Sequence, residues 1–525
     1  MVIQESALKE GLPKKTASLC PECREVIPAK IKEEDGKVVM EKECEDHGGF
    51  KSTYWSDVEM YREAERWAVD GVGVENPTIE DANSCPDNCG LCNLHKSHTC
   101  LANVDLTNRC NMNCPICFAN ANDQGYVYQP TFDQVVDMLK TLRNEKPVPT
   151  TAVQFSGGEP TVHPDFFDII QKASDMGFSQ IQIATNGIKL ANVDDFAQKC
   201  VDSGLHTVYL QFDGLKEENY IQARGRKLLD TKKKAIENCR NTEPKPLATV
   251  LVPTIVNTIN DEQVGDILDF AIENKDVIRG VNYQPVAFTG RISKEEREKQ
   301  RYTLPDLAHD IMEQTGYLSK EDFYPVPFVT PVSNIVSVIK NEPQVAFTSH
   351  PHCGLASYLV VGDQGEIRPI TDFIDVEGLM EAIHEKAEEW DSFMKKAAIK
   401  VGSKLKTEKG KRKSVVKNFR KHFGDYLVEE KLPGGLTISE IMEDIITEGD
   451  KSSVGEFAWR TMFVGGMHFQ DDYNYDIERV KRCVIHYATP DGRIIPFCAY
   501  NGGPTYREEV EKKFSVPLEE WRNEK

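Results

Sequence analysis

The 525-residue sequence lacks any uninterrupted apolar run of the roughly 18 residues that a membrane-spanning helix needs. Its first fifteen residues also lack the apolar segment of a secretory signal. We therefore expect a cytoplasmic protein. Positive charge is scarce as well, because 63 Lys and Arg face 84 Asp and Glu and give a net charge of −21. Such a chain repels phosphate backbones, so we expect no nucleic-acid partner.

Cysteine, in contrast, is abundant, with fifteen residues. Disulfides are disfavoured in the cytoplasm, so clustered cysteines there more often bind metal or carry out redox chemistry. Most of the cysteines fall into groups. Cys200 and Cys239 stand alone on helical patterns, and we interpret them as core thiols.

The central group, Cys110, Cys114 and Cys117, has the spacing Cys-x3-Cys-x2-Cys. Three thiolates on one tight loop can bind three irons of a [4Fe–4S] cluster and leave the fourth iron open. The spacing alone also fits a zinc site or a chance arrangement. The surrounding sequence has to decide between these interpretations.

Between residues 102 and 291, apolar β-branched runs alternate with amphipathic helical patterns such as residues 131–143 and 261–273. Six such βα units predict an α/β fold, a partial (β/α)6 barrel that is open and parallel. The cysteine loop follows the first strand and so lies at the C-terminal face, where βα loops build active sites. The candidate strands are residues 102–107, 152–156, 180–184, 207–212, 247–255 and 280–285.

Polar residues and glycines follow the next three candidate strands at the same rim. Paired glycines permit close approach of a backbone to a ligand, and a glutamate beside them can pair with an ammonium group. The later residues suit ribose or carboxylate contacts. These rim residues are Gly157, Gly158, Glu159, Thr185, Asn186, Gln211 and Asp213.

The order of these motifs over roughly residues 100–290 resembles the radical S-adenosylmethionine (SAM) superfamily. The resemblance implies that the three cysteines ligate the SAM-binding cluster, that residues 157–159 hold the methionine end of SAM, and that Ile116 lies near the adenine. It also implies cleavage of SAM to a 5′-deoxyadenosyl radical that abstracts hydrogen from a substrate. A low-potential electron donor such as ferredoxin is the implied partner.

A separate metal site is predicted in residues 1–60. Cys20 and Cys23 form one knuckle and Cys44 with His47 forms another, a donor set that suits a tetrahedral mononuclear iron or zinc site. The intervening residues read as a short hairpin that turns at an Asp-Gly pair. A cysteine from elsewhere in place of His47, or a pair of knuckles without metal, remains open.

Two auxiliary [4Fe–4S] clusters are also predicted, which makes three clusters in all. Residues 61–101 supply four thiolates within a short segment, enough to ligate a cluster fully. Three distant cysteines could converge on the second, with a non-cysteine or substrate ligand, although buried structural cysteines are an alternative. The first set is Cys85, Cys89, Cys92 and Cys100, and the second is Cys353, Cys483 and Cys498.

After residue 291 the βα alternation stops, so residues 102–291 are predicted as the barrel and residues 292–525 as a mostly helical C-terminal cluster domain. Residues 395–421 carry twelve Lys and Arg against one acid, Glu408. One interpretation is a solvated basic helix or loop. The other is a surface that recruits anionic phospholipid and brings the enzyme to the membrane periphery.

Over nearly the whole chain the motifs resemble archaeal tetraether lipid synthases, whose relatives are also named as dimethyltransferases of a pterin precursor. The resemblance implies that the substrate is an archaeal diether phospholipid. Hydrogen is taken from the terminal methyl of a phytanyl chain, and an auxiliary-cluster sulfur captures the carbon radical. A second SAM would then activate the second chain. The two carbons would join through an sp3–sp3 bond to give a tetraether. The matching pieces lie at residues 20–23, 44–48, 85–100, 106–117, 154–161, 282–291, 321–327, 352–354 and 496–498.

Three other functions fit parts of the pattern. A radical SAM methyltransferase acting on a pterin would need a compact polar pocket in place of a long apolar channel. A radical enzyme of peptide maturation usually has denser C-terminal cysteines. A non-catalytic electron-transfer or scaffold protein would leave the Gly-Gly-Glu-Pro rim unexplained.

Overall fold

The computed structural model describes residues 8, 10–290, 297–362, 365–400, 423–428 and 459–523, with only the backbone for residues 393–400. The basic segment of residues 395–421 therefore lies almost wholly outside the described residues, as does Arg291 at the predicted domain boundary. No helix in the described part of the chain has the length and apolar character needed to cross a bilayer.

The N-terminal ribbon is a four-stranded antiparallel sheet followed by helix α1 (Val58–Glu65). Asp35 and Gly36 both have positive φ, 52° and 76°, as a two-residue hairpin turn requires. The predicted hairpin turn is confirmed. The strands are β1 (Lys14–Leu19), β2 (Val26–Glu34), β3 (Lys37–Cys44) and β4 (Gly48–Trp55).

The barrel strands pair in parallel in the order β5-β7-β8-β9-β10-β12. All six predicted strands are present, with ends shifted by a few residues. One of them is interrupted at Pro253, which has no N–H to donate, and becomes β10 and β11. The strands are β5 (Leu101–Thr107), β6 (Tyr126–Tyr128), β7 (Ala152–Gly157), β8 (Gln180–Thr185), β9 (Thr207–Gln211), β10 (Ala248–Val252), β11 (Thr254–Ile255) and β12 (Ile278–Pro285).

The helices between these strands bury apolar stripes against the sheet. In α2, Thr131 and Gln134 form a reciprocal capping box, and Val135, Met138 and Leu139 face the core. The predicted helix of residues 131–143 is confirmed. The helices are α2 (Phe132–Arg143), α3 (Phe166–Asp175), α4 (Ile188–Asn192), α5 (Phe196–Asp202), α6 (Glu217–Arg224), α7 (Leu229–Arg240) and α8 (Val264–Glu273).

The C-terminal region is richer in helix than in strand, yet its strands extend the barrel sheet at both edges. β16 pairs parallel with β12, β14 pairs antiparallel with β16, β17 pairs parallel with β5, and β18 pairs antiparallel with β17. Sequence analysis missed these strands because they do not alternate regularly with helices as the barrel strands do. They are β13 (Tyr324–Pro325), β14 (Gly354–Val361), β15 (Ile367–Pro369), β16 (Thr461–Met467), β17 (Ile485–Ala488), β18 (Ile494–Pro496) and β19 (Ser515–Pro517).

The C-terminal helices pack around this extended sheet, and β19 pairs with β6 beside the cysteine loop. One apolar core runs from the ribbon, at Trp55 and Tyr61, to the barrel strands at Val104 and Ile183. The ribbon therefore packs on the barrel. The helices are α9 (Arg297–Gln300), α10 (Leu304–Thr315), α11 (Thr330–Lys340), α12 (Val376–Lys400), α13 (Ile477–Lys481), α14 (Phe497–Asn501), α15 (Tyr506–Lys513) and α16 (Leu518–Asn523).

Candidate active site

The C-terminal ends of the barrel strands surround a cavity of about 300 Å³. Residues of β16, β17 and α14 form part of its wall, so the C-terminal region helps to enclose it. The structure brings nearly all the sequence-predicted SAM-site residues to this cavity. They are Cys110, Cys114, Cys117, Ile116, Gly157, Gly158, Glu159, Thr185, Asn186 and Gln211.

The cysteine loop is held in shape by Asn122, which sequence analysis missed. Its side-chain oxygen accepts a hydrogen bond from the Cys110 N–H at 2.9 Å, and its amide nitrogen donates to the carbonyls of Cys110 and Met112, each at 2.9 Å. The Met112 N–H donates to the Cys110 sulfur at 3.4 Å. These bonds fix the loop around the first thiol, and Cys110 lines the cavity.

Gly157 and Gly158 bring the end of β7 against the start of the cysteine loop. A Cβ on Gly157 would lie 2.2 Å from the Thr107 carbonyl oxygen, and one on Gly158 would lie 2.3 Å from that of Arg109. The Gly158 N–H donates to Thr107 at 2.7 Å and the Glu159 N–H donates to Arg109 at 2.9 Å. The paired glycines are therefore required for close contact with the backbone of the cysteine loop.

The Glu159 carboxylate is buried and connects two strand ends. One oxygen accepts from the hydroxyls of Thr161 and Thr185 at 2.6 and 2.7 Å, and the other accepts from the Asn186 N–H at 2.9 Å. The Asn186 amide in turn donates to the Asn111 side chain at 2.7 Å, within the cysteine loop. Glu159 thus fixes the rim in addition to its predicted contact with SAM.

Asp213 does not line the cavity, unlike the other rim residues that were predicted. It is fully buried, and Arg224 binds it through two hydrogen bonds of 2.7 Å. The same guanidinium donates to the Ile116 carbonyl at 2.9 Å. Through Arg224, Asp213 helps to position the cysteine loop, and its predicted contact with SAM stays a prediction.

Lys232 is a second buried cation beneath the site. Its ammonium group donates to the Asn186 carbonyl at 2.6 Å and to the Gln211 side chain at 3.2 Å. Burial lowers the pKa of Lys232 to about 8. The sequence did contain a signal, because Lys232 lies on the apolar face of α7 with Ala235 and Cys239, where a lysine is unusual.

The three thiols suit a metal cluster that needs thiolate ligands. Burial raises the pKa of Cys110 to about 12, with Glu159 adding to the shift, and burial also raises the pKa of Cys114. Arg224 opposes the shift at Cys114. Binding iron would therefore release protons from these thiols, and the two buried cations would offset the negative charge of the cluster.

In the ribbon, the donor atoms of Cys20, Cys23, Cys44 and His47 all lie within 4.8 Å of one another. The Cys23 and Cys44 sulfurs are 3.9 Å apart, and the Cys44 sulfur is 3.5 Å from His47 Nδ1. Two sulfurs at about 2.3 Å from a tetrahedral zinc would be separated by roughly 3.8 Å. The geometry fits one mononuclear metal held by the four predicted residues.

In the first auxiliary group, Cys100 has a hydrogen-bond partner of its own. Burial raises the pKa of Cys89 well above its usual value, and Cys85, Cys92 and Cys483 add to the effect. The Cys100 thiol instead donates to the Ala346 carbonyl at 3.1 Å. Ligation by Cys100 would require this hydrogen bond to break, so its role as the fourth ligand stays a prediction.

The second auxiliary group draws its cysteines from distant parts of the sequence. Burial raises the pKa of Cys483, and Cys498 and Cys353 both add to that shift. Arg479 Nε donates to the Cys353 sulfur at 3.3 Å. Of the three, Cys498 also lines the cavity. Cys200 and Cys239 are buried in the barrel core, as predicted.

Two parts of the chain match known family models. Residues 104–271 match the radical SAM superfamily, and residues 12–56 match the HMPTM N-terminal zinc ribbon domain. These ranges contain the cysteine loop with the Gly-Gly-Glu-Pro turn and the four-residue ribbon site, respectively.

The chain is 46% identical over 515 residues to the 7,8-dihydro-6-hydroxymethylpterin dimethyltransferase of Methanocaldococcus jannaschii, covering 97% of both chains. It is 23% identical over 271 residues to the GTP 3′,8-cyclase of Clostridium acetobutylicum, covering 51% of this chain and 79% of that one. Among solved structures, SuiB of Streptococcus suis bound to S-adenosylmethionine matches with a TM-score of 0.32 and 19% identity, over 43% of this chain and 46% of that one.

Proposed function

We propose a reaction for this chain from the premise that it belongs to the radical SAM superfamily and, within it, to the family of the Methanocaldococcus jannaschii protein. In the proposed reaction, the enzyme activates carbon–hydrogen bonds of a 6-hydroxymethyl dihydropterin, which then accepts methyl groups. This substrate is the one named for the relative that matches along nearly the full length of the chain. The coupling of diether lipids, which the sequence motifs also suggest, is the second candidate.

The observation that carries the proposal is the match to the Methanocaldococcus jannaschii relative along nearly the full length of the chain. The residues that line the cavity include Asn103, Gln154, Tyr209, Asn282 and Gln284. A volume of about 300 Å³ lies at the small end of the range for ligand pockets. A compact ring system would fit a cavity of this size, whereas two long lipid chains would need additional space.

The chain's own residues would hold the cofactor at one side of this cavity. Cys110, Cys114 and Cys117 would ligate the cluster, and residues 157–159 would hold the methionine end of SAM. The bound cofactor would supply a 5′-deoxyadenosyl radical, and the protein would orient the substrate and exclude water. A low-potential donor such as ferredoxin would supply the electron.

Lipid coupling stays a candidate because another wall of the cavity is apolar. Phe118, Met467, Phe469 and Phe497 lie there, and Cys498 of the second auxiliary group opens onto the same space. Two phytanyl ends of archaeal diether phospholipids could approach along this wall. That reaction would also need a sulfur site near the substrate, which Cys498 and its neighbours could provide.

Deuterium transfer separates the candidates without knowledge of the methyl donor. The protein would be reconstituted anaerobically with iron and sulfide and given SAM, reductant and either a deuterated 6-hydroxymethyl dihydropterin or a diether phospholipid deuterated at its phytanyl ends. Mass spectrometry would then locate the label in 5′-deoxyadenosine. The variant Cys114→Ala, which lacks one cluster ligand, is the matched control.

Label from the pterin supports the proposal, and label from the lipid replaces it with chain coupling. Unlabelled 5′-deoxyadenosine from both mixtures would direct the search to other substrates, such as peptides. No 5′-deoxyadenosine from protein with its full iron content would contradict radical chemistry altogether and favour an electron-transfer role.

A further inference from the structure

The loop between β16 and α13, residues 468–476, forms part of the cavity wall and is called the wall loop below. Phe469 and Gln470 of this loop line the cavity. The Phe469 ring stacks on that of Phe497, with 3.8 Å between the ring centroids. The Gln470 side chain accepts a hydrogen bond from the Asp476 N–H at 2.6 Å, which ties the two ends of the loop together. The position of the wall loop therefore sets the shape of the cavity on this side.

The N-terminal ribbon holds the end of the wall loop. The Asp476 carboxylate accepts from the Thr16 hydroxyl at 2.7 Å and from the Tyr54 hydroxyl at 2.9 Å. Thr16 lies on β1 and Tyr54 on β4, the two outer strands of the ribbon sheet. The Ser18 hydroxyl also donates to the Tyr475 carbonyl. The last two residues of the wall loop thus rest on the ribbon.

Lys42 on β3 adds a contact that joins several parts of this interface. Its side chain is buried, with 5% of the residue exposed. The ammonium group donates to the Ser18 hydroxyl at 3.1 Å, to the Leu19 carbonyl at 2.7 Å and to the Asp472 carbonyl at 2.7 Å. An ammonium group has three N–H donors, and all three are used here. Lys42 therefore links the ribbon backbone to the backbone of the wall loop.

The Lys42 contact lies beside both metal-binding knuckles of the ribbon. Leu19 immediately precedes Cys20, and Lys42 lies two residues before Cys44. The donor atoms of the four ribbon ligands already converge within 4.8 Å of one another. A metal ion bound by them would hold the two knuckles together. It would therefore also hold the Leu19 carbonyl against the Lys42 ammonium group.

We propose that Lys42 is a positioning residue that couples metal binding in the ribbon to the wall loop of the cavity. Lys42 is not among the residues that line the cavity, so its effect on the site passes through the loop. Arg301 also holds the loop, through a contact of 2.6 Å with Asp471. Loss of the Lys42 contact should therefore loosen the loop without unfolding the chain. The inference goes beyond the proposed reaction, because it applies to either candidate substrate.

Hydrogen–deuterium exchange of the full, reconstituted protein tests this coupling. Lys42→Met retains the length of the side chain and removes its three donors. Cys44→Ser removes a metal ligand and leaves Lys42 in place. Lys30→Met is the matched control, because Lys30 is an exposed lysine on the neighbouring strand β2. Peptides that cover residues 468–476 report on the wall loop, and peptides that cover α2 report on the barrel.

We expect Lys42→Met and Cys44→Ser each to raise the exchange rate in the wall loop at least about tenfold, as loss of hydrogen bonds from a charged donor predicts. Exchange in α2 should stay at the wild-type rate, and Lys30→Met should match the wild type in both regions. The double variant should exceed either single variant by much less than the product of their effects, because both act through one contact.

A kinetic readout accompanies the exchange measurement. In Lys42→Met, the KM for whichever substrate transfers label to 5′-deoxyadenosine should rise, because the wall loop borders the cavity. The rate of 5′-deoxyadenosine formation at saturating substrate should change little, since the cysteine loop is left intact. An equal loss of rate at low and saturating substrate would contradict a role in positioning the cavity wall.

Wild-type exchange in the wall loop of Lys42→Met would overturn the proposal. Faster exchange in that variant but not in metal-free Cys44→Ser would overturn the coupling to the metal. Faster exchange throughout the chain would indicate a general loss of stability and would also overturn it. If Lys42→Met does not fold, Tyr54→Phe, which removes one hydroxyl from the same interface, replaces it under the same criteria. None of these exchange results depends on the substrate, so this proposal and the proposed reaction can fail separately.

Discussion

Arg224 on α6 binds Asp213, just after β9, through two parallel hydrogen bonds of 2.7 Å, and the same guanidinium donates to the Ile116 carbonyl at 2.9 Å. Ile116 immediately precedes the third cysteine of the loop. The ion pair is buried and therefore gives little net stability, but its two-pronged geometry fixes the position of the loop.

Replacement of Arg224 by lysine should loosen the cysteine loop. A lysine offers a point charge and cannot bind both carboxylate oxygens and the Ile116 carbonyl in this geometry. We expect a loss of about 10–100-fold in cluster affinity, typical when a partner that positions metal ligands is removed. Iron release to a chelator measures this loss of cluster affinity. Arg240→Lys, which breaks an exposed Arg–Asp pair, should have no such effect.

Alanine at Gly157 or Gly158 should disrupt the contact between β7 and the cysteine loop. The added Cβ would lie 2.2 or 2.3 Å from a backbone oxygen that cannot move freely. We expect a loss of about 1–3 kcal/mol in stability, with reduced iron content. Thermal unfolding and iron analysis measure the two effects. At Gly49, where nothing lies within 4 Å, alanine should be tolerated; equal effects at all three positions would refute the steric argument.

Iron content should show whether Cys100 completes the first auxiliary cluster. If Cys100 is the fourth ligand, Cys100→Ser should lose part of the iron of the wild type. Retention of that iron would contradict the ligand set expected from sequence. Cys200→Ser and Cys239→Ser are controls, because both thiols lie in the barrel core.

The ribbon should hold one metal ion independently of the clusters. Cys44→Ser or His47→Ala removes one of four converging donors and should abolish this ion while leaving the SAM-binding cluster in place. Elemental analysis of protein purified in air, before iron and sulfide are added, would identify the metal. Zinc would agree with the matched ribbon family, and iron would support the other predicted metal.

Glu511 should make stability depend on pH. Burial raises its pKa from the usual 4.5 to about 7, and Arg507 opposes the shift. Between these values the folded chain binds a proton that the unfolded chain releases, so stability should fall as pH rises through this window. At about 1.4 kcal/mol per pKa unit, Glu511→Gln should gain up to about 3 kcal/mol above pH 7.

The gain should disappear below pH 4.5, where both states carry a protonated Glu511. Thermal unfolding of the wild type and of Glu511→Gln from pH 4 to 8 measures this gain in stability. Glu509→Gln, on the same helix but exposed, should show no comparable trend. A constant difference between the wild type and Glu511→Gln at all pH values would contradict the assignment.

Local patterns were sufficient to predict the six barrel strands, the Asp35-Gly36 turn and the position of the cysteine loop. Strand and turn signals are carried by a few neighbouring residues, so one sequence can reveal them. The contacts of Arg224 and Asn122 with the loop depend on side chains meeting in space. Among the site residues that sequence analysis missed, only Lys232 could have been recognised from the local sequence, because it lies on an otherwise apolar helix face.

The C-terminal strands were missed for a related reason. β16 and β17 pair with β12 and β5 across long stretches of intervening chain, and neither sequence indicates its partner. Long-range pairing of this kind has no periodic trace.

The same pairings determine when the two edges of the barrel sheet are covered during biosynthesis. β5 and β12 are the edges of the six-stranded barrel, and each receives its outer neighbour from residues after 460. On the ribosome, both edges therefore stay open until most of the chain has been translated, and an unpaired edge invites association with other chains. Nascent chains halted between residues 290 and 460 should depend most strongly on chaperones.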